Sequence, residues 1–95
     1  MSPRPSAGRI VLVTVRPTTN NGAEVAPAII TRVWTDEMVN VAVFLDGASG
    51  AQARTSVPLF ADREALDAAA ALRAADQDPH TAGTTFTAAY WPPRI

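Results

Sequence analysis

The sequence predicts a mainly β domain, a small five-stranded antiparallel barrel of the SH3-like type with one Ala-rich surface helix; an OB-like barrel is the competing architecture. Short β-branched or alternating segments are separated by clusters of Gly, Asn, Asp and Pro, and one Ala-rich stretch without β-branched residues precedes the last of them. With 95 residues, 47% of them hydrophobic, the chain is expected to form a single small domain.

The barrel is expected over residues 8–95, after a Pro- and Ser-rich segment, residues 1–7, that predicts a flexible N-terminal arm. Residues 9–15 are apolar on both alternating faces, which is typical of a strand inside a small barrel. The pair Asn21-Gly22 then predicts a chain reversal.

Strand two is predicted over residues 24–34, with Ile30, Arg32 and Trp34 on one face if the alternation is regular. Pro27 lies inside this segment. Because proline cannot donate a backbone hydrogen bond, it predicts an edge or a bulge near the start of the strand.

Three further strands are predicted over residues 38–45, 53–59 and 84–91. The first of them alternates most regularly. Its apolar face comprises Val39, Val41, Val43 and Leu45.

The Ala-rich stretch predicts a helix over about residues 62–75. Asp62 is placed to cap its N-terminus, and Arg63 and Asp67 are spaced for an i, i+4 ion pair. The only large apolar residues of this segment are Leu66 and Leu72. We therefore expect the helix to lie on the surface and to pack weakly.

Composition argues against several function classes. The net charge of −1 makes long nucleic acid an unlikely partner, and all eight basic residues are Arg. The absence of cysteine and the single His80 argue against metal sites, redox chemistry and cofactors. Neither a membrane-spanning run nor a signal-peptide pattern is present, so the sequence predicts a soluble, intracellular protein.

Catalysis is also not expected. His80 lies in a predicted loop with no serine on a nucleophile elbow. The carboxylates of Asp36, Glu37 and Asp46 flank strand three, where acidic residues commonly serve turn chemistry.

The remaining candidate is a set of aromatic residues close in sequence to arginines. Trp34 follows Arg32, and Tyr90 and Trp91 precede Arg94. Such groups can stack a base and hold a phosphate. The alternative is that the rings fill the core or a subunit interface. Because adjacent residues of a strand point to opposite faces, we expect either Tyr90 or Trp91 to face outwards.

Four segments carry a resemblance to a known group of proteins. They are Gly8-Arg9-Ile10-Val11, Pro27-Ala28-Ile29-Ile30-Thr31-Arg32-Val33-Trp34, Val39-Asn40-Val41-Ala42-Val43-Phe44-Leu45-Asp46-Gly47 and Tyr90-Trp91-Pro92-Pro93-Arg94. This order resembles short uncharacterised bacteriophage and prophage proteins that open with Gly-Arg-Ile-Val and close on Trp-Pro-Pro-Arg. The resemblance implies phage origin and residence in the cytoplasm of the infected bacterial host.

By analogy with small phage proteins that inhibit bacterial immunity, the expected function is that of a non-enzymatic sponge. It would sequester a nucleotide-derived signal of CBASS or Thoeris defence between the subunits of a homo-oligomer. The alternative is a virion-associated or host-protein-binding structural module, and a hydrolase acting on the same signal ranks third.

Overall fold

The computed structural model describes residues 4–47, 50–76 and 87–93. These residues form five strands, one 3₁₀ turn and one helix. In chain order the elements are β1 (Ile10–Thr14), the 3₁₀ turn (Pro17–Thr19), β2 (Val25–Thr35), β3 (Met38–Phe44), β4 (Ala51–Phe60), α1 (Arg63–Asp76) and β5 (Ala89–Tyr90). Within these ranges, no helix is long and apolar enough to cross a membrane.

The strands close into a barrel in the order β1-β2-β3-β4-β5, which confirms the predicted five-stranded barrel with a surface helix. β5 is antiparallel to β1 but parallel to β4, so the barrel is mixed rather than wholly antiparallel. The connections explain the difference. The first four strands follow one another without an intervening α-helix, whereas the chain passes through α1 between β4 and β5. Parallel neighbouring strands need a crossover of this kind.

The barrel interior is filled mainly by small and β-branched side chains. These suit the narrow space inside a five-stranded barrel. The buried cluster comprises Val11, Val13, Ala26, Ala28, Ile30, Val39, Val41, Val43, Val57, Leu59, Ala89 and Trp91. The alternation predicted for strand three is therefore confirmed, because its alternate valines all point into this cluster.

A second apolar cluster joins α1 to the outside of the barrel. Its buried members are Leu66, Ala88 and Tyr90, and partly buried Leu12, Val25 and Phe60 pack against them. The helix thus packs through Leu66, which is 2% exposed, whereas Leu72 is 72% exposed.

The start of α1 has the predicted local chemistry. The Asp62 carboxylate accepts a hydrogen bond from the backbone N–H of Ala65 at 2.8 Å, as an N-cap does. The predicted ion pair is present, with Arg63 Nε donating to Asp67 Oδ1 at 2.9 Å. This bond, followed by a weaker contribution from Tyr90, raises the pKa of the Arg63 guanidinium.

A bulge in β2 changes which of its residues face the core. The pairing with β3 shifts between Ile30 and Arg32, and again between Val33 and Thr35. Ile30 is buried, while Arg32 and Trp34 are exposed. The prediction that these three residues share one face is therefore wrong, because it assumed a strand without bulges.

A further bulge lies in β4. Val39 pairs with Val57 and Val41 pairs with Arg54, so Asn40 between them faces two residues of β4 rather than one. Ser56 takes up the extra length with a φ of 53°, which is uncommon for a residue other than glycine.

On one side of Pro27, β2 has the local edge that was predicted near the start of the strand. Pro27 pairs in register with Leu12 of β1, and β2 lies inside a closed barrel. The pairing between β2 and β3 begins only at Ala28. The missing N–H of Pro27 therefore removes no bond from that ladder.

The β1–β2 connection reverses at Asn21-Gly22 as predicted, and both residues have positive φ, 50° and 91°. Asn20 is buried beside them. Its side-chain amide donates to the carbonyl oxygens of Ala23 and Val25, and its oxygen accepts from the N–H of Asp46 at 2.7 Å. This one side chain therefore ties the β1–β2 connection to the β3–β4 connection.

The two leucines of α1 provide a matched test of how the helix packs. We expect Leu66→Ala to lower the free energy of unfolding by about 2–5 kcal/mol, because it leaves a cavity beside Tyr90. Leu72→Ala should change it by less than about 0.5 kcal/mol, because that side chain is already in solvent. Urea denaturation followed by circular dichroism measures both values. Equal effects of the two substitutions would contradict this packing.

Candidate ligand-binding site on the outer face of the barrel

Arg32 and Trp34 form an exposed pair on the outer face of β2. The guanidinium carbon of Arg32 lies 4.1 Å from the centre of the Trp34 ring, within the range of a cation–π contact. The ring remains 49% exposed. The two residues that the sequence analysis placed together are thus in contact, and they lie on the surface.

Asn40 on the neighbouring strand fixes this pair. Arg32 pairs with Asn40 across the ladder, which places the two residues side by side on the outer face. The indole Nε1–H of Trp34 donates to Asn40 Oδ1 at 2.8 Å. The same oxygen accepts the backbone N–H of Ser56 at 2.8 Å. The ring is therefore held in one orientation by a residue that also spans the bulge in β4.

Tyr90 and Trp91 do point to opposite sides, but both are covered. Trp91 lies in the interior cluster and is 7% exposed; Tyr90 lies under α1 beside Leu66 and is 6% exposed. The expectation that one of these rings faces outwards is wrong, because α1 covers the outer side of β5. Neither ring presents an open face on which a base could stack.

The buried rings have arginine partners other than the predicted Arg94, which lies outside the described residues. The guanidinium of Arg63 lies 5.6 Å from the ring centre of Tyr90, and that of Arg9 lies 5.1 Å from Trp91. Both contacts join segments distant in sequence. These two pairs therefore hold α1 and the start of β1 against the C-terminal segment.

The three carboxylates considered for catalysis do not form one group. Asp36 and Glu37, in the turn before β3, line an open cavity of about 730 Å³ together with Arg4 and Trp91. Asp46 lies beyond the opposite end of β3, where Asn21 donates to it at 3.4 Å. His80 lies outside the described residues. Among those described, no three His, Asp or Glu side chains gather as metal ligands would.

The outer face beside the Arg32–Trp34 pair carries an apolar row across four strands. Cross-strand pairing aligns Ile10 with Ile29, Ile29 with Ala42, and Ala42 with Ala53. Ile10 is exposed, as is Phe44, the next outward residue of β3. The helix covers a different part of the barrel, so this row is open in the described chain.

Sequence reasoning missed Asn40, which organises the site. Its position opposite Arg32 depends on the bulge in β2, and no periodicity signals a bulge. The only local signal was a polar carboxamide within an otherwise apolar segment, flanked by Val39 and Val41.

Comparison of the chain with protein-family models, with curated proteins and with solved structures finds no match. The fold and the side-chain geometry therefore carry the functional argument.

Substitutions at Asn40 test its role as a shared acceptor. Asn40→Ala removes the acceptor of two donors, and we expect it to lower the free energy of unfolding by about 1–3 kcal/mol and to alter the fluorescence of Trp34. Asn40→Asp keeps an oxygen at the same place and should retain most of the stability. Denaturation monitored by tryptophan fluorescence distinguishes the two variants. An alanine variant as stable as the parent would contradict this role.

Proposed function

We propose that this protein is a non-enzymatic binding protein that sequesters a nucleotide-type ligand at the Arg32–Trp34 pair. The observation that carries the proposal is an exposed indole, fixed in orientation, with a guanidinium stacked on it. A base can stack on the open part of the ring, and Arg32 can donate two parallel hydrogen bonds to a phosphate.

The chemistry of the three side chains favours binding over turnover. A guanidinium, an indole and a carboxamide do not exchange protons near neutral pH, so they serve neither as general acid nor as general base. What they offer is stacking, positive charge and directed hydrogen bonds. These are the properties that a sponge needs.

The narrower identity of the ligand rests on the sequence resemblance. Phage origin and the analogy with immune inhibitors lead us to propose a nucleotide-derived signal of CBASS or Thoeris defence, bound in the cytoplasm of the infected bacterium. Tyr90 and Trp91 are buried and so have no direct part in the proposed site. We propose that Arg32 supplies the phosphate contact within each subunit.

Self-association is the second part of the proposal. The apolar row from Ile10 to Ala53, with Phe44 beside it, is an exposed patch of the kind that commonly forms interfaces. Because Arg32 and Asn40 occupy the next outward row, a second copy docked on the apolar row would bring another Arg32–Trp34 pair close to the first. Two pairs facing one another would enclose a ligand with more than one phosphate.

The same apolar row supports the alternative function, a structural module that docks a virion or host protein. The two functions differ in what the row contacts and in whether a nucleotide binds. If the protein is a docking module, variants in which Arg32 and Trp34 are replaced would still bind the protein partner.

Ligand recovery separates binding from catalysis. Purified protein is incubated with cyclic di- and trinucleotides and with cyclic ADP-ribose isomers, and the free ligand is analysed before and after heat denaturation. We expect one of these ligands to disappear from solution and to return chemically unchanged on heating. Recovery of a hydrolysed product would identify an enzyme instead, and no uptake of any ligand would contradict the sponge.

Variants of the pair assign that ligand to the outer face. We expect Arg32→Ala to weaken binding by about 1.5–3 kcal/mol and Trp34→Leu by about 1–3 kcal/mol, measured by calorimetry. Arg32→Lys should recover only part of the loss, because lysine keeps the charge but not the planar fork. Arg73→Ala on α1 removes one positive charge elsewhere and serves as the control. Unchanged affinity in both the Arg32→Ala and Trp34→Leu variants would remove the pair from the site.

Substitution of the apolar row tests self-association. Light scattering of the parent should give a mass of at least twice the 10.0 kDa of the chain. Ile10→Glu should shift the protein towards the monomer, whereas the exposed Thr18→Glu should leave the mass unchanged. A parent that is monomeric at micromolar concentration would contradict an interface at this row.

A further inference from the structure

Two inward positions of the described sheet carry long polar side chains, and both lie on β4 at the barrel opening, where Gln52 is half-buried and Arg54 is exposed. Every other inward position in the described strands carries an apolar side chain of the interior cluster or packs against it. Gln52 pairs with inward-facing Val43, and Arg54 pairs with inward-facing Val41. Since directly paired residues share a face of the sheet, Gln52 and Arg54 are directed towards the barrel opening rather than its outer surface.

The bulge at Ser56 is the reason they face that way. Val57 and Leu59 are buried in the interior. In a regular strand, Thr55, Ala53 and Ala51 would share their face, and Arg54 and Gln52 would lie outside. The extra residue reverses the alternation, so that Arg54 takes the inward position of Thr55 and Gln52 takes that of Ala53. The chain thus adopts an uncommon φ at Ser56, and the exposed, charged side chain of Arg54 lies at the inward position opposite Val41.

A cavity of about 280 Å³ opens at this end of the barrel. Its apolar part is formed by Val13 of β1, Val43 of β3, and Val15 and Leu45, which directly follow these two strands. Its polar part contains Arg54 and Gln52 from one side and Arg16 and Thr19 from the other. No carboxylate is among the described residues that line it, so two positive charges share the opening without a neutralising group in the lining.

The hydrogen bonds of Arg54 leave part of its guanidinium available. Nη2 donates to Gln52 Oε1, and Nη1 donates to the carbonyl oxygen of Ala53 at 3.3 Å. A guanidinium has five N–H donors, and these two bonds fix its orientation while using a minority of them. Both acceptors are neutral, so an anion would meet a positioned cation.

We propose that this opening is a second binding site, which takes the phosphate or carboxylate group of a small organic anion. Arg54 and Arg16 hold the anionic oxygens, and the apolar part of the molecule lies on Val13, Val43 and Leu45. A volume near 280 Å³ limits the guest to a small molecule. The site differs from the Arg32–Trp34 pair in residues, in face of the barrel and in needing an apolar body on its ligand.

Titration with hexyl phosphate, followed by amide NMR, tests the site. We expect saturable shifts confined to residues 13–19, 43–45 and 52–54, with hexanoate producing the same pattern and neutral hexanol much smaller shifts. Arg54→Gln and Arg16→Gln should each raise the dissociation constant at least tenfold. These variants keep polar side chains, and retention of the parent spectrum elsewhere shows that they fold.

The control is Arg32→Gln, which alters the proposed outer-face site and should leave hexyl phosphate binding unchanged. Shifts that disappear in Arg32→Gln would assign the anion to the outer face and overturn the second site. Equal binding of hexanol, unchanged affinity in both the Arg54 and Arg16 variants, or the absence of saturable shifts would overturn it as well. Nucleotide binding at Trp34 is measured with other ligands, so failure of the second site leaves that proposal standing, and failure of nucleotide binding leaves the second site standing.

Discussion

The hydrogen bonds accepted by Asn40 Oδ1 are the interaction on which both candidate sites depend. One bond comes from Trp34 on β2 and the other from the backbone of Ser56 on β4, so a single oxygen joins three neighbouring strands. The bulges on either side of it have opposite effects. The one in β2 turns Arg32 and Trp34 outwards, and the one in β4 turns Arg54 towards the barrel opening. The bulges thus give Arg32 and Arg54 faces that they would not have in regular strands. The two arginines then belong to two separate cationic candidate sites.

Arginine has two different roles at the three rings that it contacts in the described chain. Arg63 and Arg9 lie against Tyr90 and Trp91, rings that are almost wholly buried, and there the guanidinium closes the edge of an apolar cluster. Arg32 lies against a ring that is half in solvent. The first two contacts stabilise the fold, and the third leaves binding capacity unused within the chain. The exposure of the ring, and not the presence of an arginine beside it, distinguishes the two structural contacts from the candidate binding pair.

Much of the fold could be predicted because its signals are local. The alternation of strand three, the Asp62 cap and the Asn21-Gly22 reversal each depend on a few adjacent residues, and all three are present. The parallel pairing of β4 with β5 and the cover over Tyr90 could not be predicted in this way, because both arise from segments far apart in sequence. The bulges are the most important features that could not be predicted. A single inserted residue reverses every later side chain of a strand, so the faces of Arg32 and Arg54 required the structure.

The closing strand has a consequence for how the protein is made. β5 contributes only Ala89 and Tyr90 to the ladders, yet it alone connects β4 with β1. Its Tyr90 pairs with Leu12 of β1, a residue that is distant in the sequence. A ribosome adds roughly 5–20 residues per second, so β1 and β4 wait for seconds with unpaired backbone groups while α1 and the following segment are synthesised. Such strand borders readily pair with other chains. Barrel closure therefore waits for the synthesis of β5, and until then the open borders of β1 and β4 expose the nascent chain to aggregation.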